Sequence, residues 1–185
     1  ITADRTISSS SDGDQYNIKT NNDIDVIVTS NSTLERNQKI FNVSAASLTG
    51  SSITIHLGSS VIAETNSIFS NGAELTITNT GTIEATNSKA INVSNSDGVS
   101  ITNNNNGVIK SNNNTILGDA GTGADNVTID NSGEIYTTAT GTESSAIVFA
   151  NNDTGNTITN NSGGEIYNAG SESTIVLGVS STLTN

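Results

Sequence analysis

Two triplets carry the side chains best suited to chemistry. Glu134-Ile135-Tyr136 and Glu165-Ile166-Tyr167 each follow a glycine. Alternate side chains of a strand face opposite ways, so an inward Ile turns the Glu and Tyr outward. If the triplets share one phase of adjacent repeats, the two carboxylates stack and so do the two rings. Like charges directly opposite across strands are unfavourable. Glu134, Tyr136, Glu165 and Tyr167 therefore suit contact with the hydroxyls and ring faces of a sugar, or with a cation. Two carboxylates about 5 Å apart also have the spacing of a retaining glycosidase pair. The sequence shows no pocket and no neighbour that would tune one of them as an acid, and a solvated surface ladder is the plain alternative.

Other candidates are weaker. His56 is the single histidine, and a Ser-His-Asp mechanism would have to use it. In Ile53-Thr-Ile-His-Leu57 the alternation turns Ile53, Ile55 and Leu57 inward and His56 outward. Ser11-Asp-Gly-Asp-Gln15 and Gly118–Asp125 place oxygen ligands near glycines, as calcium sites do. Neither matches an EF-hand loop or the glycine-rich nonapeptide, so no metal site and no cofactor are expected. Asn-x-Ser/Thr sequons at Asn31, Asn42, Asn92, Asn113, Asn126, Asn152 and Asn160 are no more frequent than the composition produces by chance.

Composition restricts the classes further. Hydrophobic residues are 32% and aromatics 3% of 185 residues, with no Trp, Met, Cys or Pro. Asn, Ser and Thr together make up about 44%. The apolar residues are mostly Ile and Val, which suit pleated strands. Net charge is −12 with 6 Lys+Arg, the wrong sign for binding nucleic acid through a basic patch. Absence of Cys excludes disulfides and thiolate chemistry. No apolar run approaches the ~18 residues of a membrane helix, so no membrane insertion is expected.

The elements that would position these residues show in an internal repeat. Leu75–Ile83, Val99–Ile109, Val127–Ile135 and Thr157–Ile166 share one pattern. It runs apolar-x-apolar, a polar residue, Asn, a glycine turn, then Ile. A second apolar cluster follows each, at Ala90–Val93, Thr115–Leu117, Ala146–Phe149 and Thr174–Leu177. Taking Ile27, Ile55, Ile77, Ile101, Ile129, Ile158 and Leu183 as anchors gives steps of 22 to 29 residues. Three short strands per repeat, stacked in parallel about 4.8 Å apart, make an all-β, right-handed parallel β-helix (a β-solenoid) of about six to seven irregular coils. Asn79, Asn103, Asn131, Asn160 and Asn185 each lie two residues after an anchor. Stacking would bring them into one column, where amides bond along a ladder.

Thr78-Asn-Thr-Gly-Thr-Ile83 and Asp130-Asn-Ser-Gly-Glu-Ile135, with their following Ala90-Ile91 and Ala146-Ile147 steps, resemble the repeats of bacterial autotransporter adhesin passenger domains. The resemblance spans roughly residues 25–185. It implies a secreted, elongated β-helix on the outer surface of a Gram-negative bacterium. The barrel and the serine protease module of that family have no counterpart here.

Residues 1–24 fit the repeat poorly and read as an N-terminal capping or pairing segment, with strands near Ile7 and Ile18 and a turn at Ser11–Asp14. Residues 25–185 form the β-helix, open or truncated at its C-terminal end. An open end is a template for another strand, so Ile1 and Ile7 at one end and Leu183 at the other are candidates for head-to-tail assembly. Three functional readings follow. The first is a non-enzymatic adhesin or spacer that meets a surface glycan or protein receptor. The second is a self-assembling filament or surface layer, a homo-oligomer by end-to-end stacking. The third is a phage tail component or polysaccharide-degrading β-helix, which 6 Lys+Arg make hard to build.

Overall fold

The computed structural model describes residues 3–8, 11–12, 15–18, 23–44, 48–72, 74–118 and 123–185. Its 22 elements are all strands, numbered here in chain order. Every third strand returns to the same sheet, giving three sheets in which all pairing is parallel. The first sheet holds eight strands: β1 (Arg5–Ile7), β4 (Asp25–Val28), β7 (Ser51–Ile55), β10 (Leu75–Asn79), β13 (Ser100–Asn103), β16 (Thr128–Asn131), β19 (Thr157–Asn160) and β22 (Thr182–Thr184). The second holds β2 (Ser11–Asp12), β5 (Thr33–Arg36), β8 (Ser60–Ala63), β11 (Thr82–Ala85), β14 (Val108–Ser111), β17 (Glu134–Thr137) and β20 (Glu165–Asn168). The third holds β3 (Tyr16–Ile18), β6 (Phe41–Ser44), β9 (Ile68–Asn71), β12 (Ile91–Asn92), β15 (Ile116–Leu117), β18 (Ile147–Val148) and β21 (Ile175–Val176). The chain is a parallel β-solenoid.

Each sheet contributes an inward column of branched aliphatic or aromatic side chains. In the first sheet it is Val26, Ile53, Ile77, Ile101, Ile129 and Ile158, all fully buried. Leu34, Val61, Ile83, Ile109 and Ile135 line the second; Phe41, Ile68, Ile91, Ile116 and Ile147 line the third. Each buried Ile is worth roughly 1.5–3 kcal/mol of transfer free energy. Only stacking delivers it, because a single coil has nothing above or below to cover its inward side chains.

Three expectations are corrected. Ile27 is not an anchor: Val26 pairs with Ile53 and Ile27 with Thr54, so Ile27 faces outward and is half-buried. Ile55 pairs with Asn79, and Ile53 takes the anchor place beside Ile77. Because side chains alternate with period two, a one-residue slip turns a residue to the other face. Leu57 is not inward but 57% exposed. β7 stops at Ile55, and the chain turns at Leu57-Gly58, where Gly58 has φ 78°.

The N-terminal segment carries the expected strands at Ile7 and Ile18. β1 pairs with β4 through Arg5↔Val26 and Ile7↔Val28, β2 with β5, and β3 with β6. β1, β2 and β3 thus supply one strand to each sheet and belong to the first coil. Ser11–Asp12 is a strand where a turn was expected. Tyr16 stacks on Phe41 with centroids 5.5 Å apart, so this coil shares the aromatic core of the next.

Candidate functional site

The outer face of the second sheet gathers the paired triplets. Glu134 lies opposite Glu165, Ile135 opposite Ile166 and Tyr136 opposite Tyr167. The Tyr136 and Tyr167 rings are 4.7 Å apart at 5°, a parallel stack with one free face. Tyr136 is half-buried because Tyr167 covers it; Tyr167 is 39% exposed. Tyr167 Oη donates to Glu134 Oε2 at 3.3 Å. Partial burial of the phenol, helped by the nearby Glu134 and Glu165 charges, pushes the Tyr167 pKa up to about 12. The phenol therefore stays a neutral donor at any physiological pH.

Both glutamates are exposed and line an open groove of about 440 Å³ at the corner between the first two sheets. Asn105, Asn106, Ser132 and Ser162 form its other walls. Amide, hydroxyl and carboxylate groups beside an aromatic face match the surface of a sugar, which is polar at its edge and apolar across its ring. Neither carboxylate has the apolar enclosure of a glycosidase acid.

The sequence reading missed Lys110, which precedes Tyr136 in the same outer column and ion-pairs with Glu84 at 3.0 Å. Its signal was available, since Val108-Ile109-Lys110 has the phase of Glu134-Ile135-Tyr136. Glu143 was also missed. Its carboxylate accepts from Asn113 Nδ2 at 2.7 Å and Lys89 Nζ at 3.3 Å. These two bonds hold its carboxyl below the usual range, the Asn113 bond most of all. The loop between β17 and β18 thereby straps two earlier coils.

The asparagine column stands inside the corner that carries the groove. Asn79 Nδ2 donates to Asn103 Oδ1 at 2.9 Å, Asn103 to Asn131 at 2.8 Å, Asn131 to Asn160 at 2.8 Å and Asn160 to Asn185 at 2.7 Å. The same amide nitrogens also reach the carbonyls of Gly81, Gly107, Gly133 and Gly164. A glycine is needed at the turn because a Cβ on Gly164 would stand 2.6 Å from the Asn131 carbonyl oxygen. The ladder thus sets the backbone on which Glu134 and Glu165 begin their strands.

The remaining candidates do not assemble. His56 is exposed and its ring makes no hydrogen bond among the described residues. Asp125 Oδ1 is occupied by Thr154 N at 2.6 Å and Thr154 Oγ1 at 2.9 Å. Residues 13–14 and 119–122, which complete the two calcium candidates, lie outside the described residues. No group of three or more His, Asp or Glu among the described residues could hold a metal. Of the assembly candidates, Ile1 lies outside the described residues, Ile7 is buried beside Val28 of its own chain, and Leu183 is 45% exposed.

No protein-family model matches the chain, and neither does any curated protein or solved structure.

Proposed function

We propose that this chain is a non-enzymatic, extracellular adhesin or spacer of a bacterial surface, touching glycans through Tyr136, Tyr167, Glu134 and Glu165. The observation that carries the reading is the Tyr136–Tyr167 stack, parallel to 5° and flanked by paired carboxylates. A solvated ladder has no need of an aromatic pair; Thr or Lys would serve. The stack is a rigid apolar platform, and Glu134, Glu165 and the groove asparagines supply acceptors and donors for hydroxyls at its edge. Placement on an outer bacterial surface rests on the likeness of the repeats to autotransporter passengers. The solenoid suits that role, since stacking coils extends the chain along one axis while presenting the same outer columns.

Retention on a glycan array tests the reading. The native chain binds a restricted set of sugars, and Tyr136→Ala loses them while its melting curve is preserved. Native protein that retains no glycan overturns the proposal.

A further inference from the structure

The outer face of the first sheet is a different surface, and it carries a regular array of hydroxyls. Ser52, Thr76, Ser100, Thr128, Thr157 and Thr182 form one file, each the Cα partner of the next. Thr54, Thr78, Thr102, Thr159 and Thr184 form a second file, broken once by Asp130. Between the files the inward Ile53, Ile77, Ile101, Ile129 and Ile158 are fully buried. The core therefore fixes the direction in which each hydroxyl points.

The repeat is lattice-like. Strand stacking spaces the hydroxyls at about 4.8 Å within a file, and two residues of extended chain separate the files by roughly 6.6 Å. Register holds without slip from β7 to β22. The hydroxyls of Thr76, Thr78, Thr102, Thr128, Thr157 and Thr159 bond to no other described group of the chain, so all of them are offered outward. Asp130 is engaged by Asn161 Nδ2, and Asp25, which continues the first file on β4, accepts from Ser52 Oγ at 2.6 Å.

We propose that this face binds ice. Its hydroxyls repeat regularly in two dimensions, as the oxygens of an ice surface do. Threonine supplies both a hydroxyl that joins the water lattice and a methyl that orders the water around it. Crystalline polysaccharide is the competing lattice. Recognition of a sugar ring face favours aromatic platforms, and the tyrosines lie elsewhere: Tyr16 in the third sheet, Tyr136 and Tyr167 in the second. Only the second file is interrupted at Asp130; the first runs on through Thr128. This inference is independent of the glycan reading, because it uses a different sheet.

The test grows ice slowly from a solution of the purified chain and measures partitioning into ice, together with crystal shape and thermal hysteresis. The native chain enters the ice and shapes the crystals. Thr102→Tyr, in the middle of the second file, loses both effects. Thr82→Tyr, outward on the second sheet, and Tyr136→Ala keep them. Should Thr102→Tyr melt early, Thr159→Tyr reads the same face. Exclusion of the native chain from ice, as for serum albumin, overturns the proposal. So does loss of the effect in Thr82→Tyr as well as Thr102→Tyr. Binding to crystalline cellulose without any effect on ice reassigns the face to polysaccharide and overturns it too.

Discussion

Asn103 Nδ2 donates to Asn131 Oδ1 at 2.8 Å from a position one coil away, with both residues fully buried. Asn103 Oδ1 in turn receives Asn79 Nδ2 at 2.9 Å. A buried amide that loses its partner costs about 1–3 kcal/mol, more than the net gain of a typical bond. Asn103→Ala leaves Asn79 without its ladder acceptor and Asn131 Oδ1 without its donor. Chemical denaturation should show a loss of about 1–3 kcal/mol. A smaller loss is expected for Asn160→Ala, since Asn160 is only half-buried.

The corrected register gives a sharper contrast. Ile129→Asp puts an unpaired charge in a dry core and should cost more than about 4 kcal/mol, the scale of the most disruptive substitutions. Ile27→Asp places the same charge outward beside Thr6 and Thr54 and should shift the melting midpoint little. Thermal melts followed by circular dichroism compare the two. Equal destabilisation would mean that Val26 and Ile27 have been assigned to the wrong faces.

The register of this sheet was legible from Leu75 onward, where apolar and polar residues alternate strictly around Ile77, Ile101, Ile129 and Ile158. It failed earlier for physical reasons. Val26-Ile27-Val28 is a continuous apolar run, and such a run does not say which residues point inward. Leu57 misled because the strand ends one residue before His56, and Gly58 was the sole mark of the turn. Arg5–Ile7 is followed by serines rather than by the Asn and glycine turn of later coils, so it read as extraneous. At the site, the Tyr pair was visible because the triplets repeat in one phase. Glu143 was not, because its loop has no counterpart in other coils and its partners lie one and two coils away.

Tyr167 should titrate with a raised pKa. Absorbance titration of the phenolates should show one group near pH 12, and Glu134→Gln should bring it down by removing a neighbouring charge and an acceptor. The folded pKa is raised above the unfolded value of about 10. The Tyr167 contribution to stability is therefore complete below about pH 10 and is lost as pH rises through about 12.

Glu143 has the opposite sign. Its folded pKa is lowered from 4.5 by the Asn113 bond and then by Lys89. The contribution of the strap is present above pH 4.5 and is lost as pH falls through the lowered folded value. Hydrogen-exchange protection factors of residues 138–145, corrected for the intrinsic pH dependence of exchange, should therefore fall on acidification, and Glu143→Gln should show the lower protection already at neutral pH. Identical exchange in the two proteins at neutral pH would sink the strap.

The most direct test of the functional claim asks whether glycans are held and left intact. The native chain and Glu134→Gln are incubated with oligosaccharides that the array retains, and both the bound fraction and the released sugars are read by mass spectrometry. The native chain should bind and release no cleaved product, and Glu134→Gln should bind more weakly. Cleaved oligosaccharide from the native chain, abolished by Glu134→Gln, would make the carboxylate pair catalytic and the protein an enzyme rather than an adhesin.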